Sequence, residues 1–166
     1  MSNRRRSRII AVAVGFALAF AVGLTWATPG SGTQSMLIGR ATFEEAFKVK
    51  REARTIDWEV EVEAEPALDV AVQMITFQPG GHSGWHRHPG PVFISVVAGE
   101  MTFYEADDPN CAPVVRHAGQ GFLDTGEHAH IARNETTAPA TNVVTYFVPP
   151  GSPVRTDAPN PGNCPF

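Results

Sequence analysis

The chain has 166 residues, with 13 Lys and Arg, 17 Asp and Glu and six His, a formal net charge of −4. That length suits one domain with a real core and is short for two. An acidic balance without a basic stripe excludes nucleic acid as an expected partner.

In chain order, Arg4, Arg5, Arg6 and Arg8 precede an uncharged apolar stretch from Ile9 to Leu24, and Thr25-Trp26-Ala27 offers small residues for cleavage. Residues 1–27 therefore read as a secretory signal peptide. The rival is an N-terminal membrane anchor, since the stretch nearly reaches the roughly 20 residues that span a bilayer. Pro29, Gly30 and Gly32 follow at once as breakers and favour cleavage. Either way the folded part is expected outside the cytoplasm, secreted or in the cell envelope, and a membrane is a partner only if the segment stays uncleaved. Removing it leaves nine basic against 17 acidic groups, a net charge of −8.

Residues 28–38, rich in Gly, Ser and Thr, read as a flexible leader, and 39–166 as the domain. A short helical or irregular segment is expected at Thr42–Lys50, where Thr42 could cap and Phe43, Ala46, Phe47 and Lys50 share a face. From there the chain reads as strands. Thr55–Glu63 alternates Ile56, Trp58, Val60 and Val62 with charged neighbours, as a half-buried strand does. Val70–Phe77 is an apolar run ended by Pro79-Gly80-Gly81; Val92–Val97 ends at Gly99, with Met101–Tyr104 expected as its hairpin partner. Val114–Arg116, Gly121–Asp124, His130–Arg133 and Val143–Val148 complete an all-β set whose spacing suggests a closed sandwich or barrel.

Cys111 and Cys164 make an even count, and in an oxidising compartment they are expected to pair. Such a bridge would pin the Pro-rich tail and stabilise the fold by ~4 kcal/mol in the chain-entropy model. The competing reading, both as metal ligands, is weaker because neither lies near the histidine pairs.

Those pairs carry the chemistry. His86-Arg87-His88 and His128-Ala129-His130 are two His-x-His units. On a strand alternate side chains share a face, so His86 and His88 could grip one ion and His130 could close the set. The bland reading is that the histidines merely line a barrel. His128 has the same parity as His130 and is a candidate fourth ligand, though a position at the rim is the stronger expectation for it. Glu127 is a candidate general base, with His128 as a second proton carrier; a loop carboxylate is more often simply solvated. His82 reads as loop or mouth, His117 as exposed, and Asn134 as a residue bonding the local backbone at a turn. Trp85 has the opposite strand parity from His86 and is expected on the outer side or the rim.

With Gly80, His86, His88 and Gly99 in one group and Gly119, His130 and Asn134 in another, the chain resembles the cupin superfamily over roughly residues 68–150. The opening Gly-Trp-His-x-His-Pro-Gly-Pro and the ending Pro-Gly-Asn-Cys-Pro-Phe are also similar to small secreted bacterial cupins. Thr125 and Glu127 depart from the Pro and Gly usual in the second motif. The resemblance implies a single jelly-roll β-barrel with a divalent metal in its mouth, held by His86, His88 and His130. The main departure is Val92, which stands where the motif places a Glu ligand. Three neutral imidazoles with open positions suit Fe, Mn, Ni, Cu or Zn. They are similar to the three-histidine iron sites of thiol dioxygenases.

Three functions are expected. The first is a metal-dependent, oxygenase-like enzyme acting on a small molecule. The second is a non-catalytic metal- or small-molecule-binding module, and the third a barrel without metal. The fold alone decides none of them. The resemblance also allows a homodimer.

Overall fold

The computed structural model describes residues 27–65 and 67–166. The expected export segment lies, all but its last residue, outside the described residues. No helix is found among the described residues. Twelve strands run in chain order: β1 Ser31–Phe43, β2 Phe47–Glu52, β3 Glu59–Ala64, β4 Leu68–His82, β5 His86–Arg87, β6 Val92–Ala98, β7 Glu100–Glu105, β8 Val114–His117, β9 Gly121–Asp124, β10 His130–Arg133, β11 Ala140–Val148 and β12 Thr156–Asp157.

The fifteen-residue β4 is the spine of the barrel. Along one edge it pairs with β1, and along the other with β11, which continues through β6 to β9. A single pairing at its end, Arg133↔His82, joins it to β10. Strand β10 then pairs with β5 and β7, with β12 beside β5 and β8 beside β7. Alternation explains which side chains turn inward. In β11, Ala140, Asn142, Val144, Tyr146 and Val148 are buried and the residues between them are not. They meet Val92, Ile94 and Val96 of β6 and Met101 and Phe103 of β7 to form the core. The result is the expected all-β barrel of jelly-roll kind.

Four local expectations are corrected. Residues 28–38 are not a free leader. Thr28 bonds Ala158 and the Trp85 amide, and β1 already begins at Ser31. The segment Thr42–Lys50 is not helical: Thr42 lies in β1, and its hydroxyl donates to Asp69 at 2.6 Å rather than capping a helix. The pairing along β4, and a ladder of Lys48 and Lys50 against Glu59, Glu61 and Glu63, override a weak local preference. Residues 59–64 do form a strand, but not a half-buried one. β2 and β3 make a two-stranded sheet of their own, leaving Trp58 49% and Val62 43% exposed. Finally, β7 is not the hairpin partner of β6. Gly99, at φ +73°, turns the chain across to the facing sheet, and a Cβ there would meet Pro139 O at 2.8 Å.

A second apolar cluster lies outside the barrel. Trp85, 1% exposed, packs with Tyr104, Ala129, Ile131, Ala158 and Cys164 under the tail. The Cys111–Cys164 disulfide fastens that tail in place, as the cysteine count led one to expect. The outward direction of Trp85 also agrees with its strand parity.

Candidate metal centre

Gly84 sets the entry into the site. At φ +70° it passes so close to the backbone of Thr28 that no side chain would fit. The chain then enters β5, and His86 and His88 emerge on one face. His130 opens β10 directly across from His86. The three rings cluster, with centroids 4.5 Å (His86–His130), 4.8 Å (His86–His88) and 5.2 Å (His88–His130) apart. All three are buried, and each offers a nitrogen within 4.8 Å of the others'.

The outward nitrogens decide what the inward ones can do. His86 Nδ1 lies 2.8 Å from the Gly84 carbonyl and His88 Nδ1 2.6 Å from the Val154 carbonyl. His130 Nδ1 lies 2.8 Å from Asp124 Oδ2. Carbonyls and carboxylates only accept, so each neutral ring must carry its proton on Nδ1. The Nε2 lone pairs then face inward, with those of His86 and His130 3.1 Å apart. Lone pairs held this close repel one another unless a cation or a proton lies between them. Burial, and the positive charge of neighbouring His130 and Arg155, push the pKa of His86 well below its usual range. Burial likewise brings His88 down to about 4, against the opposing effect of its Val154 bond. Protonation is therefore disfavoured at two of the three rings, and a divalent metal fits the donor set.

Asp124 is the residue that sequence reasoning missed. It closes β9 at 4% exposure and pairs in register with Val92 of β6. The position without the motif's Glu thus has a carboxylate across the ladder from it. One oxygen accepts the Gly126 amide at 2.7 Å. The other faces His130 Nδ1 and lies 3.7 Å from His88 Nε2. The contact with His130 is short but not aligned as a hydrogen bond, and neither atom has another partner, so a small ring rotation would satisfy both. Burial alone would raise the carboxyl's pKa, but the donors facing it, the His130 ring first and the Gly126 amide with it, outweigh burial, and the net direction is down. The available signal was a lone Asp closing a strand that pairs with the strand of Val92.

Two other expectations are corrected here. His128 is not a fourth ligand; it is half exposed, turned outward, 3.5 Å from Asp107. Glu127 is exposed and lines no part of the histidine cavity. The reason is backbone: β10 starts only at His130, and the turn through Gly126, at φ +84°, breaks the alternation that would have put His128 beside it. Neither residue is placed to carry protons at the three rings. His82 ends β4 and accepts the Gly84 amide, His117 is exposed beside Glu100, and buried Asn134 bonds the Phe77 and Ala138 carbonyls.

The rings open into a cavity of about 110 Å³ inside the barrel. Beyond the rings its polar lining includes Gln73, Asn142, Tyr146 and Arg155, with the hydroxyls of Thr33, Ser35 and Ser83, among apolar walls that include Ile75, Phe77 and Phe103. The Tyr146 hydroxyl donates to Gln73 at 3.1 Å, and burial raises its pKa to about 12, so it stays protonated. Asn142 Oδ1 is buried without a partner. Arg155 donates to the Ser83 carbonyl and pairs with Asp157. Arg155, Tyr146 and Asn142 thus give the compartment a cation, a fixed hydroxyl and an unsatisfied acceptor.

The family comparison agrees with this architecture: residues 73–153 match the family model for the cupin domain. No protein of curated function matches the sequence. Among solved structures, a protein with a double-stranded β-helix domain from Klebsiella pneumoniae is similar at 20% identity, over 54% of this chain and 74% of that one, with a TM-score of 0.46. A cupin superfamily protein from Desulfitobacterium hafniense is similar at 10% identity, over 63% and 81%, with a TM-score of 0.43. A mutant of Bacillus subtilis oxalate decarboxylase is similar at 17% identity, over 53% and 23%, with a TM-score of 0.47. The two histidine motifs, brought together inside the barrel, thus lie in a cupin domain that spans residues 73–153.

Proposed function

We propose that the chain holds one divalent transition metal on the Nε2 atoms of His86, His88 and His130 and uses it on a small polar molecule in the adjoining cavity. One observation carries this reading. All three Nδ1 atoms face acceptors, and the three rings bring one nitrogen each within 4.8 Å of the others. A bound metal would supply Lewis acidity, and redox chemistry if it is iron, copper or manganese.

The chain's own residues set the conditions. Asp124 gives the cluster a buried negative charge and can hold the His130 ring in its ligating orientation. Arg155 and the metal favour a molecule that offers an anionic oxygen, while the acceptor of Asn142 favours one that also offers a donor. The apolar walls keep bulk water away from it. With Glu127 and His128 turned outward, the cavity has no free carboxylate placed as a base. That observation keeps alive the second reading, a binding module without catalysis. We also propose that the protein is exported, since the Cys111–Cys164 bond suits an oxidising compartment.

Metal analysis of purified protein tests the first reading. About one transition metal per chain is expected, and the double variant H86A/H88A should retain none. Metal-free protein that also fails to take up added zinc or cobalt would overturn it. Dioxygen consumption by iron-loaded protein with a panel of small acids, thiols and diols then separates enzyme from binding module.

A further inference from the structure

We propose that the Cys111–Cys164 disulfide is a redox latch that keeps the three histidines aimed for metal. Opened by a dithiol, it leaves the barrel folded and takes most of the metal affinity away. This regulation rests on the metal reading and adds a condition to it.

Two parts of the fold join the bond to the rings. The first is the strap of residues 149–164. Its Val154 carbonyl faces His88 Nδ1 at 2.6 Å. Arg155, next along, lines the histidine cavity and donates to the Ser83 carbonyl at 3.1 Å. Thr156 and Asp157 form β12, which flanks Arg87 and His86 of β5. The Ala158 amide then donates to the Trp85 carbonyl at 2.8 Å. Residues 154–158 therefore touch the chain at or beside both His86 and His88. Yet β12 is two residues long and lies at the end of its sheet, and so short a pairing is marginal without support. Support comes from further along, where Asn163 donates to the Glu105 and Asp108 carbonyls and Cys164 is bonded to Cys111.

The second part lies behind the rings. Cys164, 8% exposed, packs with Trp85, Ala129, Ile131 and Ala158, and Cys111 lies against the same cluster. Trp85 immediately precedes His86, and Ala129 and Ile131 flank His130. The disulfide thus sits in the apolar cluster that backs both histidine-bearing strands. The barrel core is made of other residues, Val92, Met101, Phe103 and Tyr146 among them, so the bond can open without unpacking it.

The bond is also open to attack. Cys111 is partly exposed, so a reductant can reach it. It stands at φ +50°, in the left-handed region that a non-glycine residue adopts at a cost. A turn around Asp108 holds it there. The Asp108 carboxylate accepts the Asn110 and Ala112 amides at 2.9 and 2.7 Å, and its carbonyl accepts the Cys111 amide at 3.2 Å. Exposed or strained disulfides are the reducible ones. A thiolate of the dithiol attacks Cys111 Sγ, and Cys164 leaves as a thiolate and takes a proton. The dithiol's second sulfur then resolves the mixed disulfide and frees Cys111. Two electrons and two protons pass to the chain, and the reductant ends as a disulfide.

Cobalt affinity of the full-length chain, by competition with a chelating dye, tests the latch. Three forms are compared: the bonded chain, the chain reduced with dithiothreitol and freed of it under argon, and C111S/C164S. The bonded chain should bind at least about tenfold more tightly than either open form, as when outer partners of ligating histidines are lost. The serine variant excludes the new thiols as ligands. Linkage requires the reverse effect, so saturating metal should make the bond harder to reduce by about 30 mV for each tenfold. Hydrogen exchange of the metal-free chain reads the latch without any ion. On reduction the Ala158 and Thr28 amides should exchange faster, while those of β4 and β11 stay protected. Equal cobalt affinity in the bonded and open forms overturns the latch alone. Loss of protection throughout β4 and β11 on reduction also overturns it, because metal would then leave with the fold. A bonded chain that takes up neither cobalt nor zinc sinks the metal reading itself, and the latch with it.

Discussion

Replacing Asp124 by Asn removes a charge while keeping the shape of the side chain, and its effect should depend on metal. Asp124 Oδ2 is the group that faces His130 Nδ1, at 2.8 Å, and that nitrogen has no other partner. A hydrogen bond to a charged group is worth about 1.5–3 kcal/mol. Loss of an outer partner of a metal-ligating histidine lowers metal affinity about 10–100-fold, or about 1.4–2.8 kcal/mol. The two routes agree, so D124N should bind cobalt or zinc about 10–100-fold more weakly than the wild type. The metal-free protein should behave differently. There the carboxylate is buried beside neutral rings, and the change in unfolding free energy should stay within about 1 kcal/mol. Competition with a chelating dye gives the first quantity and urea unfolding of metal-free protein the second. Nitrogen NMR of the His130 ring supplies an independent reading, since the proton should leave Nδ1 more readily in D124N. Affinity within threefold of the wild type, or an equal loss of stability with and without metal, would refute the reasoning.

Moving the charge tests the same geometry from the other strand. Val92 is fully buried opposite Asp124, so V92E alone should destabilise the metal-free protein by about 3–5 kcal/mol, as an uncompensated buried charge does. V92E/D124N should recover metal affinity to within about tenfold of the wild type by the same dye assay. Asp69 sets an acid limit. Thr42 and the Gly151 amide, with Arg40, hold its carboxyl at about 2, below the ordinary 3.8. A lowered acid contributes stability that is present above pH 4 and lost as pH falls toward 2. Urea midpoints should drop across that window in the wild type and less in D69N. Replacing both cysteines by serine should cost about 4 kcal/mol for a loop of 53 residues. It should also speed hydrogen exchange at the Trp85 indole, which the tail covers.

Much of the barrel was legible because its signal is local. The apolar runs at 92–97 and 143–148, and turn residues between the runs, mark strands without reference to partners, whereas the inward face of each emerges only from the barrel. Pairing was less legible. Nothing within Met101–Tyr104 says that it crosses to the other sheet, since that depends on the turn at Gly99 and the ladder waiting beyond it. The segment 42–50 misled for a related reason: its weak helical spacing gave way to ladders with β4 and β3 that no local window contains. In the site, the three clustered histidines were visible through their spacing. Asp124 was not, because it meets His130 across a sheet rather than along a motif. His128 showed the limit of parity, which holds only where the backbone is already extended.

The strand that carries His86 is two residues long, and its neighbours come much later in the chain. His130 lies 44 residues on, and the Val154 carbonyl that orients His88 lies 66 residues beyond that ring. Both contacts therefore depend on loops that close late, and little of the histidine cluster can assemble while the chain is still being made. Synthesis through Thr156–Asp157 has to precede a competent centre, because β12 is what flanks β5 on its free side. On the proposed metal reading, topology then orders the events: chain completion, barrel closure, and only afterwards capture of an ion from whichever metal pool surrounds the finished protein.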